Sequence, residues 1–351
     1  MVPTRPVFNG EQIAVLMLSA THGMQHFFGR IFPPLIPLLA TDLQLPLWKL
    51  GLVVTLWSVA NGASQAPLGH LADRVDRRFI LPTGVAVVGL GYLIVAASPV
   101  LAAYAPAISL FGVTWSSALT VVTAGMVVAG LGRGATHPAG YPLLTANVVA
   151  DHKGKALGWW GSASKLGDAA GPAFVGVALL LFAWETVFLL IAGIGIIYAA
   201  ALFVYMTTSR LETVPDNGNG DESGDASGYW TPVLLVLAAF IGISFASRGI
   251  GTYLPAFITD VYGFSFTVLD ITFRPESVAS MYFSLLLLAG AVSIAAVGRL
   301  VDRYDPRLIM ITVYLAATAA RRTMTLLRNE DDADPLSPDL DDLPGYVKPD
   351  G

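Results

Sequence analysis

Ionisable side chains lie inside several long apolar runs of this sequence. His22, His26 and Arg30 are spaced four residues apart in the first run, and Arg133 and His137 repeat that spacing in a later run. Residues four apart share one face of a helix. An ionisable group at membrane depth is costly and is a functional candidate by default. The spacing therefore predicts polar helix faces that bind or move a charged solute or a proton.

Two further runs add Lys165 with Asp168, three residues apart, and Arg248 near the middle of its run. Lys165 and Asp168 either form a structural pair that neutralises itself or take part in function, and both interpretations stay open. If they cancel, the arginines at 30, 133 and 248 remain without a buried carboxylate. This balance favours an anionic substrate, because a guanidinium donates hydrogen bonds to carboxylates in a fork.

The histidines are candidate carriers of a coupling proton, as is Asp168, because histidine titrates near neutral pH. Two of them also have a simpler interpretation. His22 is either a site residue or a solvated residue near a helix end. His137 precedes Pro138, which frees a backbone carbonyl one turn earlier, so His137 either serves the site or satisfies that kink.

The sequence contains no recognisable signature of an enzyme active site or a metal site. The segment HKGKALG lacks the glycine spacing and the following Ser or Thr of a phosphate-binding loop. The sequence has no cysteine and no HExxH motif, which excludes disulfides, thiolate metal sites and one common zinc site. We expect a protein that is not an enzyme, without a cofactor, a metal or a nucleic-acid partner.

Membrane-spanning helices are the elements that must position these residues. The chain is 54% hydrophobic and only 13% charged, whereas soluble domains carry about 25% charged residues. Many apolar runs approach the roughly 20 residues that a spanning helix needs. We predict an all-α polytopic membrane protein with spans at 12–39, 50–69, 79–99, 117–146, 156–182, 187–207, 232–260 and 278–298. Residues 100–116 are predicted to be a loop or an interfacial segment, and the run 308–320 is short for a span.

Composition also divides the chain into four parts. We predict an N-terminal six-helix bundle at 1–207, an acidic disordered linker in the cytoplasm at 208–231, a partial C-terminal bundle at 232–320 and an acidic disordered tail at 321–351. Basic residues concentrate after the second, fourth and eighth predicted spans. Because Lys and Arg are enriched in cytoplasmic loops, we expect a multi-pass protein of the plasma membrane with a cytoplasmic N-terminus.

A charged decapeptide occurs twice, as GHLADRVDRR at 69–78 and as GRLVDRYDPR at 298–307. Each copy closes the second helix of a predicted set, which is the parallel-repeat plan of many secondary transporters. The basic and acidic residues of the two copies, with their leading glycines, are candidates for a latch between the two halves: Gly69, Asp73, Arg74, Arg77, Arg78, Gly298, Asp302, Arg303 and Arg307.

The first decapeptide resembles the cytoplasmic signature of the major facilitator superfamily, with Asp76 where that family usually has Gly. The fifth predicted span carries GDAAGPAFVG, whose Gly167, Gly171, Pro172 and Gly176 resemble the family's exporter-associated motif. GLGRGATHPAG in the fourth span is similar to a branch that includes fosmidomycin-resistance efflux proteins.

The resemblance implies two helical bundles that rock about a central site lined by the first, fourth and seventh spans. It also implies a latch in which Asp73 accepts hydrogen bonds from a helix of the other half. A full member has twelve helices, so the resemblance implies an incomplete second half and a truncation after about the ninth helix.

These observations predict proton-coupled export of a small organic anion across a lipid bilayer by alternating access. The alternative is a non-transporting membrane protein that serves as a remnant or as a structural or interacting subunit.

Overall fold

The computed structural model describes residues 10–110, 112–214 and 230–301, with scattered positions between 304 and 319. The core of the predicted linker, 215–229, and the predicted tail, 321–351, lie outside the described residues. The chain forms two compact units, Met1–Leu288 and Ala289–Gly351. The site described below lies entirely within the first unit.

The described structure consists almost entirely of helices, in agreement with the predicted all-α class. The helices are α1 (Gly10–Gly29), α2 (Phe32–Asp42), α3 (Leu47–Ala72), α4 (Arg77–Ala96), α5 (Ser98–Leu101), α6 (Ser117–Arg133), α7 (Tyr141–Ala146), α8 (Lys153–Ala178), α9 (Trp184–Thr208), α10 (Trp230–Tyr262) and α11 (Pro275–Val301). Four segments of the described chain are long and apolar enough to cross a membrane: 77–96, 117–146, 184–208 and 275–293.

Two predicted spans are interrupted. The span predicted at 12–39 divides into α1 and α2, because Pro33 and Pro34 supply no backbone N–H with which α1 could continue. The span predicted at 117–146 contains a π-helical turn at Thr136–Gly140, which includes Pro138 and separates α6 from α7. Both breaks lie next to ionisable residues of the candidate site.

Short hairpins are the only strands among the described residues. β1 (Ile108–Leu110) pairs with β2 (Val113–Trp115) inside the predicted loop, and β3 (Phe266–Val268) pairs with β4 (Ile271–Phe273). Each is antiparallel and connects two helices, so neither belongs to the helical core.

The core forms where the helices pack along their lengths. The largest contacts join α1 to α8, α4 to α6 and α9, and α3 to α6, while α10 packs against α2. Apolar side chains such as Leu35, Leu81, Leu119 and Phe188 are fully buried between them. Many apolar side chains on the outer helix faces are instead exposed, which is the surface that lipid covers in a membrane protein.

Polar contacts tie the helix ends together on one side of the bundle. The imidazole Nδ1 of His152, just before α8, lies 2.9 Å from a carboxylate oxygen of Glu11 in the first turn of α1. The Asn147 amide donates to the backbone oxygen of Glu212 at 3.0 Å, and its own oxygen accepts from Glu212 N–H at 2.8 Å. We call this side the signature-loop end, because the first decapeptide lies there between α3 and α4.

Candidate functional site

The interface between α1 and α8 is close enough for their backbones to touch. A Cβ atom on Gly23 would lie 2.9 Å from the Ala163 carbonyl oxygen, and one on Gly171 would lie 2.7 Å from that of Phe27. Small residues permit this approach between membrane helices. The two helices run parallel, because residues later in α1 contact residues later in α8: Gly23 meets Ala163, and Phe27 meets Gly171. Short distances between their polar side chains follow from this packing.

Asp168 is the centre of the polar network at this interface. Arg30 Nε donates to Asp168 Oδ1 at 2.9 Å, and His26 Nδ1 lies 3.1 Å from the same oxygen. Lys165 Nζ is more distant, at 4.0 Å from Oδ2. The Asp168 side chain is only 9% exposed. The structure thus brings together four of the residues that the sequence singled out, and it shows that Lys165 shares its carboxylate with two other cationic partners.

His22 lies in a separate aromatic cluster one turn from His26. Its ring stacks on Trp160 at a centroid distance of 4.1 Å and an interplanar angle of 12°. His26 and His137 present their rings edge-on to it, at 4.7 and 5.3 Å. His22 Nδ1 lies 2.9 Å from the Trp160 carbonyl oxygen. His22 is buried, so it is not a solvated residue at a helix end.

Arg133 enters the bundle from the last turn of α6. Its Nε donates to the Gln25 carbonyl oxygen at 3.1 Å, and its guanidinium lies over the Trp57 ring at 5.4 Å from the ring centroid. These contacts fix the orientation of the guanidinium. Among the described residues, no carboxylate contacts the Arg133 guanidinium.

Arg248 in α10 faces the same region from the other side. It lines a narrow cleft of about 20 Å³, room for roughly one water molecule, together with Arg30, Trp57 and Tyr92. Tyr92 donates a hydrogen bond to the Phe28 carbonyl oxygen near the end of α1, and the same oxygen accepts from Ile31 N–H at 3.5 Å. The cleft therefore has two guanidinium groups and three aromatic side chains in its walls, and guanidinium groups are suited to binding an anion.

The first decapeptide folds as a compact loop between α3 and α4. Asp76 caps α4, since its Oδ1 accepts from Arg78 N–H at 3.0 Å, and its Oδ2 pairs with Arg78 Nε at 2.7 Å. Arg78 also donates to the Thr213 hydroxyl, at 3.2 Å from NH2, and Arg77 N–H donates to the Thr213 carbonyl oxygen at 3.1 Å. The departure from Gly at position 76 thus provides a helix cap and an ion pair.

Burial acts to raise the pKa of Asp76, but hydrogen bonding by Thr213 and Arg78 and the charge of Arg78 hold it below its ordinary value. Asp73, in contrast, is 74% exposed and has Arg77 at 3.7 Å. Asp73 accepts no hydrogen bond from a helix N-terminus in the described structure, so the predicted latch contact stays a prediction. Arg74 is exposed.

Comparison with protein families decides the identity. A model of the Major Facilitator Superfamily matches residues 18–327. The chain belongs to this superfamily. The predicted fold class is confirmed, and the protein is a multi-pass membrane protein.

Two curated transporters share part of this major facilitator sequence. The probable L-galactonate transporter of Escherichia coli (strain K12) is 24% identical over 163 residues, which cover 46% of this chain and 32% of that protein. The riboflavin transporter RibZ of Clostridioides difficile (strain 630) is 23% identical over 161 residues, covering 46% of this chain and 31% of that protein. The matches thus span about a third of the length of each relative.

Solved structures of the superfamily have the same fold. A bacterial homologue of the human lysosomal transporter Spinster, in an inward-facing and occupied conformation, aligns with a TM-score of 0.59 and 17% identity over 84% of this chain and 62% of that chain. A POT family transporter in complex with 5-aminolevulinic acid aligns with a TM-score of 0.53 and 12% identity, over 84% and 70%. At these identities the likeness establishes the fold.

The exporter-associated motif of this major facilitator chain lies along α8, where it serves helix packing. Gly167 and Gly171 face α1, and Gly176 faces α11, where a Cβ atom would lie 3.1 Å from the Ser277 carbonyl oxygen. Pro172 lies inside α8 without ending it. Of the second decapeptide, Gly298 lies in α11, while Asp302, Arg303 and Arg307 lie outside the described residues.

Sequence reasoning missed several residues of the site. Trp57, Tyr92 and Trp160 carry no charge, and only the fold shows that they surround the ionisable groups. Gln25 lies one residue from His26, and its interior position gives no signal in the sequence. Thr213 follows α9, and no local pattern links it to the first decapeptide.

Proposed function

We propose that this protein is a secondary active transporter that exports a small organic anion by alternating access, with a proton as the coupling ion. Family membership and the transporter relatives favour transport over an enzymatic role. The finer assignment depends on the charges of the site.

The excess of cationic side chains around one carboxylate carries the proposal. Asp168 has Arg30, His26 and Lys165 within 4.0 Å, so its charge is already matched. Arg133 and Arg248 contact no carboxylate among the described residues. An uncompensated guanidinium at membrane depth is costly. Arg248 lines the cleft and Arg133 lies over Trp57, another residue of its wall, so an anionic solute there would supply the missing charge.

The name of one relative agrees with this chemistry. L-galactonate, named for the Escherichia coli protein, is a carboxylate with a polar body. Riboflavin, named for the second relative, is a larger compound with a planar ring system. Two arginines in the wall of the cleft suit a carboxylate group, so L-galactonate is the first probe to test.

A proton at the Asp168 network would couple transport to a pH gradient. Protonation of Asp168 would release Arg30 from its partner, and deprotonation would restore the pair. Arg30 lines the cleft as well, so the same side chain would respond to both the proton and the anion. This shared group is the physical basis for coupling in the proposal.

Orientation and direction complete the proposal. The signature-loop end carries Arg74, Arg77, Arg78, Lys153 and Lys155, so we place it in the cytoplasm of a cell whose plasma membrane contains the protein. The direction of export is supported by the likeness of the α8 glycine and proline motif to that of exporters.

Reconstituted vesicles test the proposal directly. The full chain is placed in vesicles that contain unlabelled L-galactonate and a pH-sensitive dye, and the exchange of external radiolabelled L-galactonate is measured with and without a pH gradient. We expect exchange without a gradient and accumulation with one. In Arg133→Gln and Arg248→Gln, the L-galactonate concentration that gives half-maximal exchange should rise about tenfold or more. This corresponds to the loss of one charged hydrogen bond, which contributes roughly 1.5–3 kcal/mol.

Arg210→Gln is the matched control, because Arg210 is exposed just beyond α9 and should leave exchange unchanged. If the wild-type chain moves neither L-galactonate nor other carboxylates, the transport proposal is wrong and the non-transporting alternative gains support. Transport that is unaffected by both arginine substitutions would overturn the anion assignment.

A further inference from the structure

Buried polar atoms near His22 have no partner in the part of the chain that the structure describes. His22 is 5% exposed and Gln25 is 1% exposed. His22 Nε2 and both side-chain polar atoms of Gln25 lack a hydrogen bond there. A buried polar group without a partner costs about 1–3 kcal/mol. Two such residues in adjacent turns of one helix indicate a function rather than a packing accident.

The contacts of His22 determine which ring nitrogen carries the proton and which has a free lone pair. A carbonyl oxygen only accepts hydrogen bonds, so the 2.9 Å contact with the Trp160 carbonyl requires the proton on His22 Nδ1. The neutral ring therefore has its lone pair on Nε2, the atom without a partner. Stacking on Trp160 holds the ring in this orientation. His22 is thus a fixed, buried proton acceptor.

His26 has the same arrangement one turn later. Its Nδ1 lies 3.1 Å from the Asp168 carboxylate, which accepts the Nδ1 proton when it is ionised. In this neutral form, the lone pair of His26 is on Nε2. The two rings are nearly perpendicular, at 86°, with centroids 4.7 Å apart. No hydrogen bond joins the two rings in the described structure, so transfer between them requires a side-chain movement or an intervening water molecule.

His137 extends this arrangement toward the signature-loop end. Its ring centroid lies 5.3 Å from that of His22, and the residue is exposed. The next residue, Pro138, packs against Gly69 at the end of α3, with its Cβ 3.5 Å from the position of a Cβ on Gly69. The three imidazoles therefore form a path from a buried carboxylate to an exposed side chain near the first decapeptide.

We propose that His22 is a proton-relay residue that connects His26 and Asp168 to His137 and the signature-loop end of the bundle. This inference rests on the proposed proton coupling and specifies its route. When Asp168 carries the coupling proton, it transfers that proton to His26 Nδ1, and the proton on His26 Nε2 moves to His22 Nε2. This makes His22 an imidazolium, leaves Asp168 ionised and leaves His26 neutral with its proton on Nδ1. The same proton then passes to His137 or to water, and His22 returns to its Nδ1–H form.

Charged and titratable groups face His22 from several elements. His26 faces it on α1, His137 on the π-helical turn and Arg133 on α6. Lys165 and Asp168 on α8 lie beyond His26. A buried ring beside the positive charge of Arg133 favours transfer of a proton over its storage.

Separate measurements of exchange and coupling test the relay in vesicles that contain the full chain, with L-galactonate as probe. Exchange at equal pH requires no net proton movement, whereas accumulation along a pH gradient does. In His22→Gln we expect exchange at the wild-type rate and proton-driven accumulation slowed about a hundredfold, the usual contribution of a positioned proton-transfer group. His70→Gln is the control, because His70 is exposed near the end of α3.

Each outcome decides between the alternatives. Normal coupling in His22→Gln would overturn the relay while leaving the transport proposal intact. A wild-type chain that exchanges neither L-galactonate nor other carboxylates overturns the transport proposal and the relay with it. If His22→Gln loses exchange as well, His137→Gln at the exposed end becomes decisive. Loss of coupling with exchange retained in that variant supports the relay, and retained coupling contradicts it.

Discussion

The α1–α8 and α4–α6 interfaces are both built on close backbone contact, but they enclose opposite chemistry. Between α4 and α6, a Cβ atom on Gly91 would lie 2.5 Å from Ala129 N, and one on Gly132 would lie 2.6 Å from the Gly84 carbonyl oxygen. The side chains beside this contact are apolar. Between α1 and α8, the same closeness encloses Asp168, His26 and Arg30.

The difference shows that close packing alone does not define a functional interface. At α4–α6, close packing creates an apolar contact whose stability does not depend on charged groups. At α1–α8 the stability of the contact depends on ionic and hydrogen-bonding partners that a proton or an anion can change. We therefore expect substitutions in the first interface to affect stability alone, and those in the second to affect stability and transport together.

Removal of the central carboxylate should have the largest effect. Asp168→Ala leaves Arg30 and His26 without their partner inside the bundle, and loss of one member of a buried pair costs about 3–5 kcal/mol. Because the Arg30 side chain is 30% exposed, we expect a value near the lower limit. Denaturant titration in detergent micelles measures it. Asp260→Ala, at an exposed site in α10, is the control, and an equally small loss in both variants would contradict the central role of Asp168.

A bulky residue at the apolar interface should have the next largest effect. Gly91→Leu forces side-chain atoms against the α6 backbone, and overpacking of this kind costs about 1–3 kcal/mol. Thermal unfolding in detergent should show the loss, and any folded fraction should exchange L-galactonate normally. Gly193→Ala, where a Cβ meets nothing within 4 Å, should be neutral. If Gly91→Leu instead uncoupled proton movement in folded protein, the contrast between the interfaces would disappear.

A hydrogen bond between α8 and α11 should have a smaller effect. Ser284 in α11 donates to the Ala169 carbonyl oxygen at 2.7 Å, next to Asp168. Ser284→Ala should destabilise the fold by about 1 kcal/mol, the net value of one hydrogen bond. Ser293→Ala removes only a bond within its own exposed helix and should cost less. Equal losses would show that α11 does not support α8 through this contact.

The smallest effect concerns pH at the signature loop. The pKa of Asp76 is lowered in the folded protein, so its stabilising contribution is present above its unfolded pKa and disappears as pH falls through its folded pKa. We expect Asp76→Asn to flatten the acid side of the stability profile by less than about 1 kcal/mol, because the pair is partly exposed. Thermal unfolding from neutral to acidic pH measures this. Asp73→Asn, at an exposed site, should leave the profile unchanged.

Much of the fold could be predicted from composition and periodicity. The helices near 79–99, 156–182 and 187–207 were placed within a few residues, because long apolar runs have few alternatives in a membrane. The break after Arg30 was not predicted, although Pro33, Pro34 and Pro37 were visible. Hydropathy averages over a window and does not register a missing backbone N–H.

The candidate site could be predicted only in part. Spacing of four residues indicated that His22, His26 and Arg30 share a face, and the structure places two of them on Asp168. The distances between helices depend on which glycines meet, and a sequence without the fold does not show this. For the same reason, the stacking of Trp160 on His22 and the tie from Thr213 to Arg78 could not be predicted.

The break between α1 and α2 has an electrostatic consequence for the two arginines nearest to it. Aligned peptide dipoles give the C-terminal end of a helix a partial negative charge of about half an electron. α1 ends at Gly29, where Arg30 follows and where Arg133 donates to a carbonyl oxygen of the preceding turn. A continuous helix would have no such end at this depth. Arg30 also has Asp168 as a partner, but Arg133 contacts only these partial charges and the Trp57 ring, which leaves its full charge available to attract a mobile anion.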